Sequence, residues 1–154
     1  MGNKSNNWTE MTAARTPQIL EWRRNNPQRH RATMVKYRLS VKGTAAHLWK
    51  QAKRRAEQKG YIFTITKERL ATALLKGGCE RTGIPFVREE TGGGQHPFSP
   101  SVDRIRPELG YIDSNIQVVC VILNVARGAW GDEPLMQLAK ALVGQDNKHV
   151  TGPK

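Results

Sequence analysis

The sequence predicts an α+β fold, with helices in its first half and a strand–loop–strand–helix unit near its end. Apolar residues recur at spacings of three and four over residues 43–60, which is typical of an amphipathic helix. Two short β-rich runs, "SVDRI" (101–105) and "NIQVV" (115–119), flank a turn-rich segment. The segment "CVILNVARG" (120–128) then predicts a helix that glycine ends.

The first half of the chain is expected to be helical throughout. A short helix is predicted over 16–25 and a second over 26–40, which begins with an asparagine cap followed by proline. The clearest helix covers 43–60, where Thr44 is the predicted cap and Gly60 the stop. These helices precede the strand–loop–strand–helix unit.

The remaining elements follow from local patterns. The alternating run 61–66 predicts a strand, and Thr66 then caps a further helix. The glycine-rich stretch 87–99 is predicted to be a flexible loop. A last helix is expected over 132–144, followed by a disordered tail over 145–154.

The positive charge of the chain is concentrated in its first part. The net charge of +12 divides into 14 Lys and Arg against 3 Asp and Glu in residues 1–60, and 11 against 10 in residues 61–154. Such asymmetry favours a polyanionic partner, above all nucleic acid, over a solvated face that only keeps the protein soluble. We therefore predict a basic helical arm over 1–60 that grips nucleic acid, a core over 61–144 and the disordered tail over 145–154.

Side chains of the arm are candidates for phosphate contacts that position the nucleic acid without reading its sequence. They are Arg23, Arg24, Arg29, Arg31, Lys36, Arg38, Lys50, Lys53, Arg54 and Arg55. Trp8 and Trp22 are candidates for stacking on bases. Trp49 lies on an apolar helix stripe, so we expect it in the core, and Trp130 is expected to pack beside the last helix.

Other classes of protein are disfavoured. No apolar run approaches the roughly 20 residues of a membrane span, and the first residues lack a signal-peptide core. Two cysteines, Cys79 and Cys120, are too few for a disulfide scaffold. We expect a cytoplasmic protein with reduced thiols and no membrane partner.

Polar residues stand at fixed points of the strand–loop–strand–helix unit. Asp103 ends the first strand, and Asn124 lies one turn into the following helix. Packing of that helix on the hairpin is expected to bring the two side chains close together. A carboxylate and an amide oxygen, with water and phosphate completing the shell, suit a hard cation such as Mg²⁺. Such an ion can polarise a phosphodiester.

The ordered set "CERTG", "PSVDRI", "GY", "SNIQVVC" and a final "N" resembles the ββα-metal core of the HNH, or His-Me finger, endonucleases. The nearest branch is that of the phage endonuclease VII-like proteins. The resemblance covers roughly residues 43–143. It implies a metal-dependent DNA endonuclease that hydrolyses phosphodiester bonds, with Mg²⁺ or Mn²⁺ as cofactor.

The resemblance also assigns roles to individual positions. Asp103 matches the metal-binding aspartate and Asn124 the second metal ligand. Asn115 matches the asparagine that braces the loop and orients the general base. Cys79 and Cys120 match two of four zinc cysteines.

The sequence departs from the family pattern at two places. Thr82 and Leu123 stand where the other zinc cysteines would be, so we predict no zinc and a pair of neighbouring buried thiols. Arg104 follows the aspartate where the family has its catalytic histidine. Because arginine keeps its proton at neutral pH, Arg104 is expected to clamp a phosphate. His96 is then the candidate base, or a loop residue with no catalytic task.

These departures leave alternatives to an active HNH endonuclease. One is a nucleic-acid-binding protein on the same fold that has lost catalysis, since the histidine is replaced by Arg104. Another is a Holliday-junction or branch resolvase that acts as a homodimer. The last alternative is a small basic structural protein of a virion. The expected partner is duplex or branched DNA, and the resemblance implies a phage or mobile-element origin.

Overall fold

The computed structural model describes residues 7–89 and 95–149 of the 154, with side chains described over 16–89 and 95–145. The chain forms two compact units, Met1–Arg38 and Leu39–Lys154. Within the described ranges there are six α-helices and one two-stranded antiparallel sheet. The predicted α+β class is confirmed.

The first unit consists of helices α1 (Asn7–Asn25) and α2 (Pro27–Leu39). Asn26 lies between the two helices. Its backbone N–H and its side-chain amide both donate to the Trp22 carbonyl, at 2.9 and 3.0 Å. The two predicted helices are confirmed, but α1 begins earlier and runs through Pro17. None of the described residues of α2 is buried.

Helix α3 (Val41–Lys59) opens the second unit. The Ser40 hydroxyl accepts the N–H of Gly43 at 3.1 Å, so Ser40 is the cap and the predicted cap Thr44 is wrong. The helix therefore begins one turn earlier than predicted. At the other end Gly60 takes the left-handed conformation, with φ 68°, and stops the helix as predicted.

Helix α4 (Lys67–Leu75) packs on α3 and completes most of the core. Thr66 caps it as predicted, because its hydroxyl accepts the Arg69 N–H at 3.0 Å. Small residues on α3 allow the two helices to approach closely. The buried cluster contains Ala45, Leu48, Ala52, Ala56, Ile65, Leu70, Ala73, Leu74, Val102, Tyr111, Ile116 and Val118.

The predicted strand over 61–66 is wrong. This segment forms one isolated parallel bridge, between Phe63 and Tyr111, and no ladder. Gly110, with φ 73°, allows the approach, since a Cβ there would lie 2.5 Å from the Ile62 carbonyl oxygen. No strand of the described residues pairs with 61–66 along its length. The alternating pattern of this segment therefore reflects which of its side chains pack beside the sheet, and not a strand.

The sheet and the helix that follows it form the predicted strand–loop–strand–helix unit. Strand β1 (Pro100–Arg104) pairs with β2 (Ile116–Cys120) so that Asp103 lies opposite Gln117. Helix α5 (Val121–Arg127) follows β2 directly and packs on both strands. The polar ends of β1 and α5 are thereby brought to one side of the hairpin.

The unit boundaries and the last helix differ from the prediction. The boundary lies after Arg38 and not at residue 60, because the buried face of α3 packs on α4. Helix α6 (Asp132–His149) continues through 145–149, so the predicted disordered tail is wrong there. Residues 145–149 contain neither proline nor glycine that would end the helix. Residues 150–154 lie outside the described chain.

None of the helices in the described ranges combines the length and the apolar character that crossing a membrane requires.

Candidate functional site

Asp103 and Arg127 form a buried ion pair at the end of β1. The Arg127 Nη1 group donates to both carboxylate oxygens of Asp103, at 2.9 and 3.1 Å. Gln117, opposite in the sheet, donates its amide to one of these oxygens at 2.8 Å. Asp103 and Arg127 are only 8% and 7% exposed. The carboxylate is thus neutralised by a guanidinium within the protein.

Arg127 also fastens the end of α5 to its surroundings. Its Nη1 and Nη2 groups donate to the carbonyls of Arg104 and Ile105, at 3.0 and 2.8 Å. Its Nε donates to Asp132 at 2.7 Å. Asp132 also accepts from Arg81, and hydrogen bonds from Arg81 and then Arg127 hold the pKa of Asp132 below its usual value. This network gives Arg127 a fixed position.

Arg104 is held between two aromatic rings. Its guanidinium carbon lies 4.3 Å from the ring centroid of Tyr61 and 5.1 Å from that of Tyr111. One of its Nη groups donates to the Pro107 carbonyl at 2.7 Å. These cation–π contacts and the hydrogen bond restrain the side chain, and its other N–H groups can donate to a further acceptor.

Asn115 braces the loop between the strands. Its amide donates to the carbonyls of Arg106 and Gly110, both at 2.8 Å, and its carbonyl accepts the Arg106 N–H at 2.9 Å. The side chain is 3% exposed. These bonds close the loop on itself and hold the end of β1 that carries Asp103 and Arg104. Its proposed role in orienting a base stays a prediction.

The structure brings Asn124 to the same pocket as Asp103, as the sequence predicted. The Asn124 amide nitrogen donates to the Ser101 hydroxyl at 2.7 Å and to the Val102 carbonyl at 3.3 Å. These bonds tie the first turn of α5 to β1. The side chain therefore has a structural role whether or not it binds a metal.

The pocket has a volume of about 230 Å³. Asp103 and Asn124 line it together with three arginines: Arg55 from α3, Arg104 from β1 and Arg127 from α5. Three guanidinium groups against one carboxylate leave a net positive charge. Because Asp103 is already paired with Arg127, the pocket is suited to an anion.

The Mg²⁺ or Mn²⁺ that the resemblance implies does not fit this arrangement. Both oxygens of Asp103 accept hydrogen bonds from Arg127, whose charge repels a cation. In the described ranges no group of three or more His, Cys, Asp or Glu side chains converges to hold a metal. A divalent ion at Asp103 would first require Arg127 to move.

His96 lies in contact with its own loop. Its Nδ1 accepts the Phe98 N–H at 3.1 Å, and its Nε2 is 4.0 Å from a carboxylate oxygen of Glu89. The adjoining carbonyl of Pro97 accepts the Ile122 N–H at 2.9 Å, at the end of the hairpin away from Asp103. The structure does not place His96 among the described residues that line the pocket. Residues 90–94 of the same loop lie outside the described chain.

The two cysteines are neighbours in a small buried cluster with Val119, as predicted. Burial raises the pKa of Cys79, but hydrogen bonds from Thr82 and from backbone N–H groups outweigh it and leave the pKa lowered. Burial, and then the neighbouring Cys79, raise the pKa of Cys120 to about 11. The expected absence of zinc stays a prediction.

The predicted phosphate contacts divide into two sets. Of the ten, nine side chains are exposed, and they are Arg23, Arg24, Arg29, Arg31, Lys36, Arg38, Lys50, Lys53 and Arg54. Arg55 differs, because it is half-buried and lines the pocket beside Asp103. The structure thus assigns Arg55 to the site and not to the outer surface.

The tryptophans partly follow the prediction. Trp49 packs against the core and donates its Nε1 to the Ile65 carbonyl at 2.9 Å. Trp22 is 45% exposed, which leaves its ring accessible. The predicted packing of Trp130 is wrong, since it is 78% exposed on the turn before α6. The Trp8 side chain lies outside the described ones.

Sequence reasoning missed two residues of the site, Arg127 and Gln117, and predicted a third, Arg55, only as a phosphate contact of the arm. Arg127 lies three residues after Asn124, so both share one face of α5, and this spacing is the signal that could have found it. Gln117 follows from the register of the hairpin. No pattern in the sequence places Arg55 beside Asp103, because its position depends on how α3 packs on the sheet.

The chain was compared with protein-family models, with curated proteins and with solved structures, and no match was found in any of the three comparisons.

Proposed function

We propose that this protein binds nucleic acid and seats a backbone phosphate in the pocket lined by Arg55, Arg104 and Arg127. The observation that carries the proposal is the ratio of charges in this pocket, three guanidinium groups to one carboxylate that is already paired. A net positive, partly enclosed site on a chain of net charge +12 is complementary to a polyanion.

Arg104 supports this proposal by its preorganisation. Cation–π contacts with Tyr61 and Tyr111, together with the bond to the Pro107 carbonyl, restrain its guanidinium before any ligand arrives. Guanidinium groups bind phosphate oxygens through two parallel hydrogen bonds, and a fixed fork loses less conformational entropy on binding. We infer that Arg104 is the principal phosphate ligand and that Arg55 assists it.

The exposed basic residues add a contribution that does not depend on sequence. The exposed basic residues of α1, α2 and α3 can each neutralise a phosphate. Each such contact steepens the slope of log affinity against log salt concentration by about 0.9 for duplex DNA. Because phosphate contacts carry no base information, they position the nucleic acid. The expected partner is DNA, duplex or branched, within the cytoplasm of a host cell.

A second candidate function is a metal-dependent endonuclease of the HNH type. It is favoured by one observation: Asp103 and Asn124, which match the family's metal ligands, line the same pocket on a strand and on the helix that follows the hairpin. In this reading Arg127 must release Asp103 for Mg²⁺ or Mn²⁺ to bind. A branch resolvase would be the dimeric form of the same function.

The general base is the weak point of that second function. An arginine such as Arg104 is not a suitable general base, and His96 bonds to its own loop and does not line the pocket. No other histidine contributes to the described lining of the pocket. The nucleic-acid-binding protein without catalysis is therefore the function that the geometry supports best.

The two functions are separated by pairing a binding assay with a cleavage assay. Binding of duplex and branched DNA is measured in EDTA, and nicking of supercoiled plasmid is measured with Mg²⁺, Mn²⁺ or EDTA. The binding function predicts salt-sensitive complexes in EDTA and no nicking. Metal-dependent nicking that Asp103→Ala abolishes would establish the endonuclease instead.

A further inference from the structure

Helix α3 presents basic side chains on both flanks and along its outer ridge. Arg55 and Lys53 are two residues apart, so they point roughly 160° apart around the helix axis. Arg55 lines the arginine pocket, whereas Lys53 lines a separate groove between α3 and α4. Arg54, between them in sequence, is exposed and points away from the buried stripe of the helix.

The groove on the Lys53 side is larger than the arginine pocket, about 780 Å³ against 230 Å³. The Trp49 ring is part of its lining, and its Nε1 bond to the Ile65 carbonyl holds it in place. The ammonium groups of Lys53 and Lys67 lie 5.2 and 5.0 Å from the centroid of this ring. Two positive charges thus lie near one aromatic ring and favour an anion in this groove.

The charges that line this groove are largely unpaired. Glu57 is its one acidic residue among those described, and it lies 3.8 Å from Lys53 with both side chains exposed. Such a pair has little net attraction in water. Within the described ranges Lys50, Arg54 and Lys67 have no carboxylate at ion-pair distance. The groove is therefore a second anion-binding surface on the other side of α3.

We propose that α3 enters the major groove of duplex DNA, so that the arginine pocket faces the phosphates of one strand and the Lys53 and Lys67 side of the α3–α4 groove those of the other. This inference rests on the proposed nucleic-acid binding and names its substrate as a duplex. An α-helix with its side chains is about 10–12 Å across, and the major groove is about 12 Å wide. The two phosphate backbones of a duplex border its major groove. The two anion sites, one on each flank of α3, match this arrangement.

The part of the α3–α4 groove that runs along the outer ridge of α3 carries the side chains that this placement would direct at base edges. His47, Lys50, Gln51 and Arg54 stand at positions i, i+3, i+4 and i+7 of the helix. Three of them are exposed and Gln51 is half-buried. Arginine and lysine bind guanine, and glutamine binds adenine, at the major-groove edge. Duplex RNA has a major groove too narrow and deep for a helix, so the preferred substrate is DNA.

The test is fluorescence anisotropy of the full chain on duplex DNA, single-stranded DNA and duplex RNA over a series of salt concentrations. The variant is Lys53→Gln with Lys67→Gln, and the control is Lys59→Gln with Lys140→Gln, which removes the same charge from exposed positions off the groove. We expect the variant to lose about tenfold in duplex affinity and about 1.8 in salt slope. The control should retain most of both, and duplex RNA should bind less tightly than duplex DNA.

Protection of guanine N7 from dimethyl sulfate locates the helix, since N7 lies in the major groove. Protection by the wild type, weaker with Arg54→Ala, supports the inference. It is overturned if the Lys53 and Lys67 variant binds duplex DNA as the control does, if N7 stays reactive in the complex, or if duplex RNA binds as tightly. Failure of the wild type to bind any nucleic acid would instead remove the proposed function itself.

Discussion

Arg127 donates from one nitrogen to both carboxylate oxygens of Asp103, at 2.9 and 3.1 Å, in a site where both residues are buried. The pair joins the end of β1 to the last turn of α5. It also disfavours a divalent cation in the pocket, because it neutralises the one carboxylate that such an ion would need. The remaining guanidinium groups then favour an anion.

The Arg127–Asp103 pair predicts a large loss of stability when one partner is removed. Arg127→Met should lower the free energy of unfolding by about 3–5 kcal/mol, because it leaves Asp103 buried and unpaired. Urea unfolding followed by circular dichroism measures this change. Asp103→Asn combined with Arg127→Met should recover much of the loss. An Arg127→Met protein as stable as the wild type would mean that the pair is not formed.

The position of Arg104 between two tyrosines predicts that its shape matters as well as its charge. Arg104→Lys should lower duplex DNA affinity about fivefold, since lysine keeps the charge but loses the planar fork and the stacking on Tyr61 and Tyr111. Anisotropy titrations in EDTA measure this. The matched control is Arg106→Lys, whose side chain is 65% exposed and should change affinity little. Equal effects of the two substitutions would argue against the pocket as the phosphate site.

Asn115 is predicted to stabilise the loop that follows Arg104. Asn115→Ala removes three hydrogen bonds, those to the part-buried N–H and carbonyl of Arg106 and that to the buried Gly110 carbonyl, and the Arg106 carbonyl keeps its bond from the Leu109 N–H. The free energy of unfolding should fall by about 2–4 kcal/mol. Asn124→Ala, with its two bonds in a less buried place, should cost less. Denaturation midpoints in the reverse order would contradict this assignment.

Cys120 predicts a specific dependence of stability on pH. Burial raises its pKa from 9.0 to about 11, so between these values the unfolded thiol has lost its proton while the folded one keeps it. The unfolded state then binds fewer protons, and the free energy of unfolding falls as pH rises from about 9 to about 11. The lowered pKa of Cys79 acts below 9.0 and does not contribute to this window.

Unfolding curves across this pH range measure the effect in the wild type and in Cys120→Ala. The substitution lowers the free energy of unfolding at every pH, because it removes a buried group. It should also make the fall of this free energy above pH 9 less steep. A decline of equal steepness in both proteins would show that other groups cause it.

Much of the fold was predictable from local patterns. Thr66, Gly60 and the proline that opens α2 mark helix ends by chemistry that acts within a few residues, and the structure uses each of them. The alternating run 61–66 misled for a physical reason. An alternating pattern indicates which side chains are buried, but it does not show that the backbone pairs with another strand. The backbone of this run forms only one bridge, between Phe63 and Tyr111.

The candidate site was predictable where it follows chain order and not where it follows packing. Asp103 ends a strand and Asn124 lies one turn into the helix that follows the hairpin, so their proximity could be inferred from the order of these elements. Arg55 reaches the pocket from α3, about fifty residues earlier in the chain, and only tertiary packing brings it there. The resemblance assigned Asp103 to a metal, whereas the structure pairs it with Arg127.

The most direct test of the central claim is the salt dependence of duplex DNA binding, in EDTA, by the wild type and by Arg55→Gln with Arg104→Gln. The arginine-pocket account predicts metal-free, salt-sensitive binding by the wild type. It predicts that the double substitution weakens binding about tenfold and lowers the log–log slope by about 1.8. Binding that requires a divalent metal, or binding that the two substitutions leave unchanged, would contradict the account.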